Sequence, residues 1–125
     1  MKTALELLKH AHSAYRAGDQ KTLRSICASD IDYQLGSWKA SGVDELLDLV
    51  LAFSDGRIAV FHMPETYQEV IESSDGSCCW ALIHWHYVKA DGTKGIQELA
   101  SFAQCADGKL LANKNYGDLS AVMGY

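Results

Sequence analysis

The sequence predicts an α+β fold in which helices cover one face of an antiparallel sheet. Helical periodicity dominates the first half of the chain, whereas the second half holds long stretches rich in β-branched and aromatic residues. A repeated Asp-Gly dipeptide separates these stretches, at Asp75-Gly76, Asp91-Gly92 and Asp107-Gly108. Asp-Gly favours two-residue type I′ turns, because both central residues need a positive φ. Residues 65–118 are therefore predicted to form a four-stranded antiparallel meander.

Length and composition indicate one globular domain covering residues 1–125. The chain has 48% hydrophobic residues and a single proline, and it is long enough to bury a core. The net charge of −5 argues against nucleic acid and anionic membranes as partners, because phosphate groups attract basic surfaces. No apolar run approaches the roughly 20 residues of a membrane span, and the N-terminus has no signal-peptide pattern. We therefore expect a cytoplasmic protein.

The cysteine pattern agrees with that location. The four cysteines show no CxxC spacing, and adjacent Cys78 and Cys79 would point to opposite faces of a strand. Cys27 and Cys105 stand alone. Reduced thiols are therefore expected, rather than a disulfide or a metal site.

Three helices are predicted in the first half. Residues 2–17 carry an apolar stripe at helical spacing, and Gly18 suits the position just after the helix. Asp19 is expected to cap a short second helix. Ser41 is expected to cap a third helix, which runs from about residue 43 to residue 53.

The remaining elements are strands. Alternation of apolar and polar residues predicts a strand over 31–35, followed by a turn or brief hairpin over 36–41. A further strand is predicted over 57–62, and Pro64 marks a bend or bulge before the meander. The helices therefore precede most of the sheet along the chain.

If every Asp-Gly forms a two-residue turn, the strand register follows. One face then carries Glu65, Tyr67, His84, His86, Gln97, Leu99, Tyr116 and Asp118. The other face carries Ala81, Ile83, Trp85, Tyr87, Glu98, Ala100 and Phe102. A bulge shifts the register by one residue and reverses the faces of a strand. A bulge at the third turn would turn Asp118 away and bring Asn113 and Asn115 into the pocket.

The order of elements resembles the nuclear-transport-factor-2-like (NTF2-like) superfamily, in particular its SnoaL-like polyketide cyclase and ketosteroid isomerase branch. The matching motifs are Tyr15-Arg16-Ala17-Gly18-Asp19 with Leu23, Ala28-Ser29-Asp30, Gly42, the strand around Trp85, Asp107-Gly108-Lys109-Leu110, Asp118 and Met123-Gly124. The resemblance implies a cone, in which three helices close over a curved antiparallel sheet and leave a pocket. It also implies a homodimer that forms through the sheet face of Trp85 and Phe102.

The resemblance argues against ketosteroid isomerase chemistry. That mechanism uses a carboxylate base with a tyrosine and a protonated aspartic acid as the oxyanion hole. The matching positions hold Leu35, Ala11 and Ser101. Tyr15, one helical turn beyond Ala11, could point into the same pocket, but it cannot replace the missing base.

The polyketide cyclase branch supplies a different hypothesis. Asp118 matches its acid/base aspartate by position, and His84 and His86 lie on the same predicted face. We therefore predict Asp118, His84 and His86 as proton carriers and Tyr15 as a hydrogen-bond donor. The residues predicted to line the pocket are Trp38, Tyr67, Trp80, Leu82, Leu99, Ser101 and Tyr116. His12 lies on the buried stripe of the first helix and belongs either to the core or to the pocket, whereas His10 is expected to be exposed.

Three alternatives stay open at this point. Asp118 could cap the C-terminal turn while His84 and His86 form hydrogen bonds in the core. His84 and His86 could instead bind a metal together with Glu65 or Asp118, although no spacing ties a third ligand to the pair. Finally, the pocket could bind a small apolar or amphipathic molecule, or a protein, without turnover. The prediction includes no cofactor and no metal.

Overall fold

The computed structural model describes residues 2–55, 60–62 and 64–120, with only the backbone described for 60–62. The elements are α1 (Ala4–Ala17), α2 (Gln20–Ile26), β1 (Cys27–Leu35), β2 (Trp38–Ser41), α3 (Val43–Ser54), β3 (Val60–His62), β4 (Thr66–Glu72), β5 (Cys78–Lys89), β6 (Lys94–Ala106) and β7 (Lys109–Tyr116). The start of the strand predicted over 57–62 and the Met123-Gly124 motif lie outside the described residues.

The ends of α1 and α2 follow from local chemistry. Thr3 and Glu6 form a capping box, in which the Thr3 hydroxyl accepts from the Glu6 N–H at 3.2 Å. The Ala4 N–H also donates to the Gly76 carbonyl at 2.8 Å, which ties the start of α1 to the β4–β5 loop. Gly18 ends the helix with φ 65°, as predicted. Asp19 caps α2 by accepting from the Thr22 N–H at 3.1 Å, also as predicted.

The predicted cap of α3 is wrong. Gly42, with φ 96°, occupies the N-cap position, and no side chain caps the helix. Ser41 instead ends β2, where it pairs with Asp32 across a hairpin. The Ser41 N–H donates to the Glu45 carboxylate at 3.2 Å, so Ser41 acts through its backbone rather than its hydroxyl.

The sheet is curved and mixed, with strand order β2-β1-β7-β6-β5-β3 and with β4 also paired to β5. The antiparallel meander β4-β5-β6-β7 is confirmed. β1 adds to β7 in parallel, which the sequence did not predict. α1 packs on the inner face of β5, β6 and β7, while α3 packs on β1 and β2. The core between these layers includes Leu8, Leu23, Ile31, Leu46, Ile83 and Leu110.

The three Asp-Gly turns differ from one another. Asp107-Gly108 is a two-residue turn with φ 54° and 75°, as predicted, but a bulge between Gln104 and Cys105 shifts the rest of β6–β7 by one residue. The second hairpin has a three-residue loop closed by the Lys89 N–H on the Thr93 carbonyl at 2.8 Å. In this loop Gly92 has a positive φ and Asp91 does not. The first hairpin closes with a hydrogen bond from the Ser73 N–H to the Cys78 carbonyl, and β4 before it contains a bulge between Tyr67 and Glu69.

These shifts correct the predicted faces. The inner face carries Cys79, Ala81, Ile83, Trp85, Leu99, Ser101, Ala103, Asn113 and Asn115. The outer face carries Trp80, Leu82, His84, His86, Glu98, Phe102 and Tyr116. The predicted grouping of His84 and His86 with Leu99 is wrong, because the three-residue loop moves His84 opposite Glu98 and His86 opposite Ile96. A bulge does bring Asn113 and Asn115 inward, as the alternative register anticipated, and its extra residue, Leu111, lies just after the third turn.

Substituting two neighbouring residues of β5 tests this register. Ile83→Ala should lower the free energy of unfolding by about 2–5 kcal/mol, because it removes a side chain that is 2% exposed. His84→Ala, on the outer face, should cost less than about 1 kcal/mol, because it removes only a partly exposed contact with Glu98. Urea unfolding at neutral pH measures both changes. The reverse order of costs would contradict the observed register.

Candidate functional site

A cavity lies between α1, α3 and the inner face of the sheet. Its described lining consists of His12, Tyr15, Tyr33, Leu35, Leu49, Val50, Phe53, Glu65, Ile83, Trp85, Leu99 and Asn115. The volume that the centre of a water molecule can occupy in this cavity is about 50 Å³. A single water needs roughly 10–15 Å³ by this measure, so the cavity has room for a few waters or a small organic molecule.

Four polar side chains connect α1 to the start of β4, and we call them the α1–β4 cluster: His12, Arg16, Glu65 and Tyr67. His12 and Arg16 are four residues apart and share one helix face, while Glu65 and Tyr67 are two residues apart. The His12 Nδ1 lies 2.7 Å from the Tyr67 hydroxyl, and Arg16 Nη1 forms an ion pair with Glu65 Oε2. The spacing on each element thus produces two parallel polar contacts.

Burial changes the acid–base properties of this cluster. The Glu65 side chain is 7% exposed, and its burial raises the pKa of the carboxyl group although the Arg16 guanidinium partly offsets the effect. Burial, and next the nearby Glu65 carboxylate, raise the pKa of the Tyr67 hydroxyl. Tyr67 is therefore neutral at physiological pH, and Glu65 holds its proton to a higher pH than an ordinary glutamate does.

A second polar group crosses the base of the cavity from α1 to β7. The Tyr15 hydroxyl donates to Asn113 Oδ1 at 3.1 Å, and Asn113 Nδ2 donates to the Phe102 carbonyl at 3.1 Å. Two residues further along β7, Asn115 Nδ2 donates to the Gln34 carbonyl at 3.0 Å, and its Oδ1 accepts from the Ser101 hydroxyl. Burial raises the pKa of Tyr15 well above its ordinary value, so this phenol is also neutral.

Only some of the predicted lining residues reach the cavity. Leu99 lines it, and Tyr67 contacts His12 of the lining. Tyr15, predicted as a hydrogen-bond donor, also lines the cavity. Ser101 is fully buried behind Asn115, while the Trp38 ring packs against Tyr33 with 6.0 Å between centroids.

The other three predicted lining residues, Trp80, Leu82 and Tyr116, lie on the outer face. The Trp80 ring there contacts Phe102, with 5.1 Å between ring centroids. The prediction that these three residues line the cavity is wrong. The resemblance had placed the pocket on the face of β5 that carries Leu82, whereas the cavity lies on the face that carries Ile83 and Trp85.

The predicted proton carriers also lie outside the described cavity lining. His84 Nε2 contacts Glu98 Oε2 at 3.0 Å, and His86 Nε2 contacts Thr66 Oγ1 at 3.1 Å. Asp118 accepts from the Ser120 N–H at 3.0 Å, and this contact lowers the pKa of its exposed carboxyl group. The shared pocket face predicted for these residues is therefore wrong. Their catalytic role stays a prediction that the geometry does not support.

The structure also bears on the alternative metal site and on the predicted dimer face. Within the described ranges, no group of three or more His, Cys, Asp or Glu side chains is arranged to hold a metal ion. Trp85 is 3% exposed and packs in the core against Phe53, whereas Phe102 lies on the outer face. Trp85 and Phe102 therefore do not share one surface, as the dimer prediction assumed.

Sequence reasoning missed part of the site. It considered Glu65 only as a metal ligand, it left His12 between core and pocket, and it gave Arg16 no role in the site. The spacing of His12, Tyr15 and Arg16 on one side of α1 is the signal that could have grouped them. His10, by contrast, is exposed as predicted, with its ring 3.4 Å from the Lys2 amine.

The pH dependence of stability tests the buried state of Glu65. A raised pKa gives a stabilising contribution that is fully present below the ordinary value of 4.5 and is lost as the pH rises through the raised value. The Glu65→Gln variant has no carboxyl group to ionise and therefore lacks this decline. The unfolding free energy of the variant minus that of the wild type should rise as the pH increases from the ordinary pKa of glutamate to the raised pKa of Glu65. Urea unfolding between about pH 4 and pH 8 measures it. Exposed Glu69→Gln controls for the charge change, and a difference independent of pH would contradict the assignment.

Comparison with known proteins reveals similarity at the level of structure. No family model matches the chain, and no curated protein matches its sequence. A "putative polyketide cyclase" from Xanthomonas campestris pv. campestris superposes with a TM-score of 0.75 at 18% identity, covering 97% of this chain and 94% of that one. An NTF2-like protein of unknown function from Burkholderia pseudomallei K96243 superposes with a TM-score of 0.76 at 14% identity, covering 100% of both chains.

An epoxide hydrolase has the same architecture. This LEH-like enzyme from M. tuberculosis superposes with a TM-score of 0.73 at 13% identity, covering 97% of this chain and 81% of that one. At such identities the likeness concerns the fold alone. The described helices and curved mixed sheet give this chain the cone-shaped α+β fold that these NTF2-like and polyketide cyclase-like structures share.

Proposed function

We propose that the cavity binds a small, largely apolar organic molecule and acts on it by acid/base chemistry. The observation that carries this proposal is the composition of the cavity lining. His12, Tyr15, Glu65 and Asn115 border a space whose other lining residues are aliphatic or aromatic, including Tyr33 with its hydroxyl and Trp85 with its indole N–H. Apolar walls with a few convergent polar groups are typical of small-molecule sites, and a carboxyl group with a raised pKa strengthens that interpretation.

The polar residues divide into two roles. His12 and Glu65 are the proton carriers: imidazole changes charge near neutral pH, and burial moves the pKa of Glu65 upward. Tyr67 orients the His12 ring through the 2.7 Å contact, and Arg16 holds the Glu65 carboxylate. Tyr15 and Asn115 bind the polar end of the ligand.

The residues that line the cavity limit the reactions that the site could catalyse. The resemblance assigns the isomerase base to Leu35, which here is an apolar wall of the cavity, so that mechanism stays excluded. Cyclisation, dehydration, hydrolysis and other isomerisations all need a proton acceptor and a proton donor, which His12 and Glu65 can provide. Two solved structures with this fold bear names of enzymes that act on organic molecules, a polyketide cyclase and an epoxide hydrolase.

A non-catalytic binding domain is the second candidate. Both proposed proton carriers already have partners within the protein, since Arg16 pairs with Glu65 and Tyr67 contacts His12. If these contacts persist in the complex, the cluster closes the cavity and transfers no proton. The same ligand would then bind without being converted.

Turnover after a binding screen separates the two candidates. Protein-observed NMR would first identify ligands among small epoxides, lactones, enones and alcohols, and mass spectrometry would then follow their conversion. His12→Gln and Glu65→Gln should each lower kcat/KM by about 100-fold or more while the ligand dissociation constant changes little. His10→Gln, on the exposed side of the same helix, is the matched control and should leave kcat/KM unchanged.

Two results would count against this assignment. If ligands bind in the cavity but none is converted, the binding domain is favoured over the enzyme. If conversion occurs and Asp118→Asn and His84→Ala abolish it while His12→Gln does not, the chemistry lies with the residues predicted from sequence instead.

A further inference from the structure

We infer that the polar end of the ligand carries a hydroxyl group, bound between Tyr15 as acceptor and Asn115 as donor. The inference rests on the proposed function, because it concerns the ligand of the same cavity. It follows from the direction of three hydrogen bonds, each of which the chemistry of its partners determines.

The orientation of the Asn113 amide comes first. One end of this amide lies 3.1 Å from the Phe102 main-chain carbonyl, which can only accept a hydrogen bond. That end must therefore be the NH₂ group, and the other end, facing Tyr15, must be the carbonyl oxygen. Asn113 is fully buried, so solvent does not compete for these contacts.

The direction of the Tyr15 contact then has no alternative. A phenol carries one proton, and an amide oxygen only accepts, so the 3.1 Å contact uses the proton of Tyr15. What Tyr15 has left to present to the cavity is an oxygen lone pair. The sequence-based role of Tyr15 as a hydrogen-bond donor to the ligand would require breaking this bond.

Asn115 offers the cavity a hydrogen-bond donor, whereas Tyr15 offers an acceptor. Its NH₂ group is identified by the Gln34 main-chain carbonyl at 3.0 Å, which again can only accept. An amide nitrogen carries two protons, and among the described residues the second has no acceptor. Asn115 is 3% exposed and lines the cavity. A buried donor without a partner is costly, so a ligand oxygen that accepts from it is favoured.

A hydroxyl group matches this pair. Asn113 and Asn115 are two residues apart on β7, or about 7 Å along the strand, and the hydroxyl of Tyr15 contacts the first of them. Tyr15 and Asn115 both line the cavity. One hydroxyl can accept from Asn115 and donate to Tyr15 at the same time. A ketone, ether or ester can accept from Asn115 but leaves the Tyr15 oxygen without a donor. The ligand class is therefore alcohols, phenols and enols.

Two molecules of nearly equal size test the inference. Cyclohexanol should bind to the wild-type protein about tenfold more tightly than cyclohexanone, because only the alcohol satisfies both protein groups. Dissociation constants come from NMR titration, followed at the Asn115 side-chain amide. Tyr15→Phe should abolish the preference. Tyr116→Phe, the same substitution on the outer face, should retain it.

A third variant tests the cause of the preference. Asn113→Leu removes the acceptor that takes the proton of Tyr15, so the phenol becomes able to donate and the preference should shift towards cyclohexanone. An unchanged alcohol preference in folded Asn113→Leu would overturn the inference. If this buried variant does not fold, Tyr15→Phe decides the question alone, and an alcohol preference that survives in it would overturn the inference too.

The remaining outcomes separate this inference from the proposed function. If both molecules shift the Asn115 amide and bind equally, or if cyclohexanone binds more tightly, the inference fails while the cavity remains a ligand site. If neither binds up to its solubility limit and the cavity resonances do not move, both the proposed function and the inference fail.

Discussion

The bulge between Gln104 and Cys105 determines which side chains of β7 face the helices. Without it, the two-residue turn at Asp107-Gly108 would pair the strands one residue out of their observed register. Asn113 and Asn115 would then face outward, and the contacts of Tyr15 and Ser101 with β7 would be lost. A single extra residue in β7, Leu111, thus provides the polar base of a cavity whose walls are otherwise mostly apolar.

A second constraint acts from the opposite side of the cavity. α1 is held at its start by the Gly76 carbonyl and at its later turns by Tyr67 and Glu65. These contacts aim His12 and Tyr15 of the same helix towards the sheet. The polar groups of the site therefore come from one helix and from two regions of the sheet, which explains why the chain order does not group them.

Much of the fold could be predicted from sequence, because it depends on local signals. Helical periodicity, Gly18 and Asp19 gave the helices, and the Asp-Gly dipeptides marked the strands. The parallel β1–β7 pairing carries no turn signal and was not foreseen. The site was predicted less well, because the face of the sheet to which a side chain points depends on exact loop lengths and on bulges. One added loop residue at Asp91-Gly92 was enough to exchange His84 for Ile83 on the inner face.

The register can be measured directly by nuclear Overhauser effects between assigned side chains. The account predicts effects between the Asn113 side-chain amide and the Tyr15 ring, and between the methyl groups of Ile83 and Leu99. Contacts of the His84 ring with the Leu99 methyl groups, without contacts between Asn113 and Tyr15, would contradict it. That result would restore the register of three two-residue turns and move the site to the opposite face of the sheet.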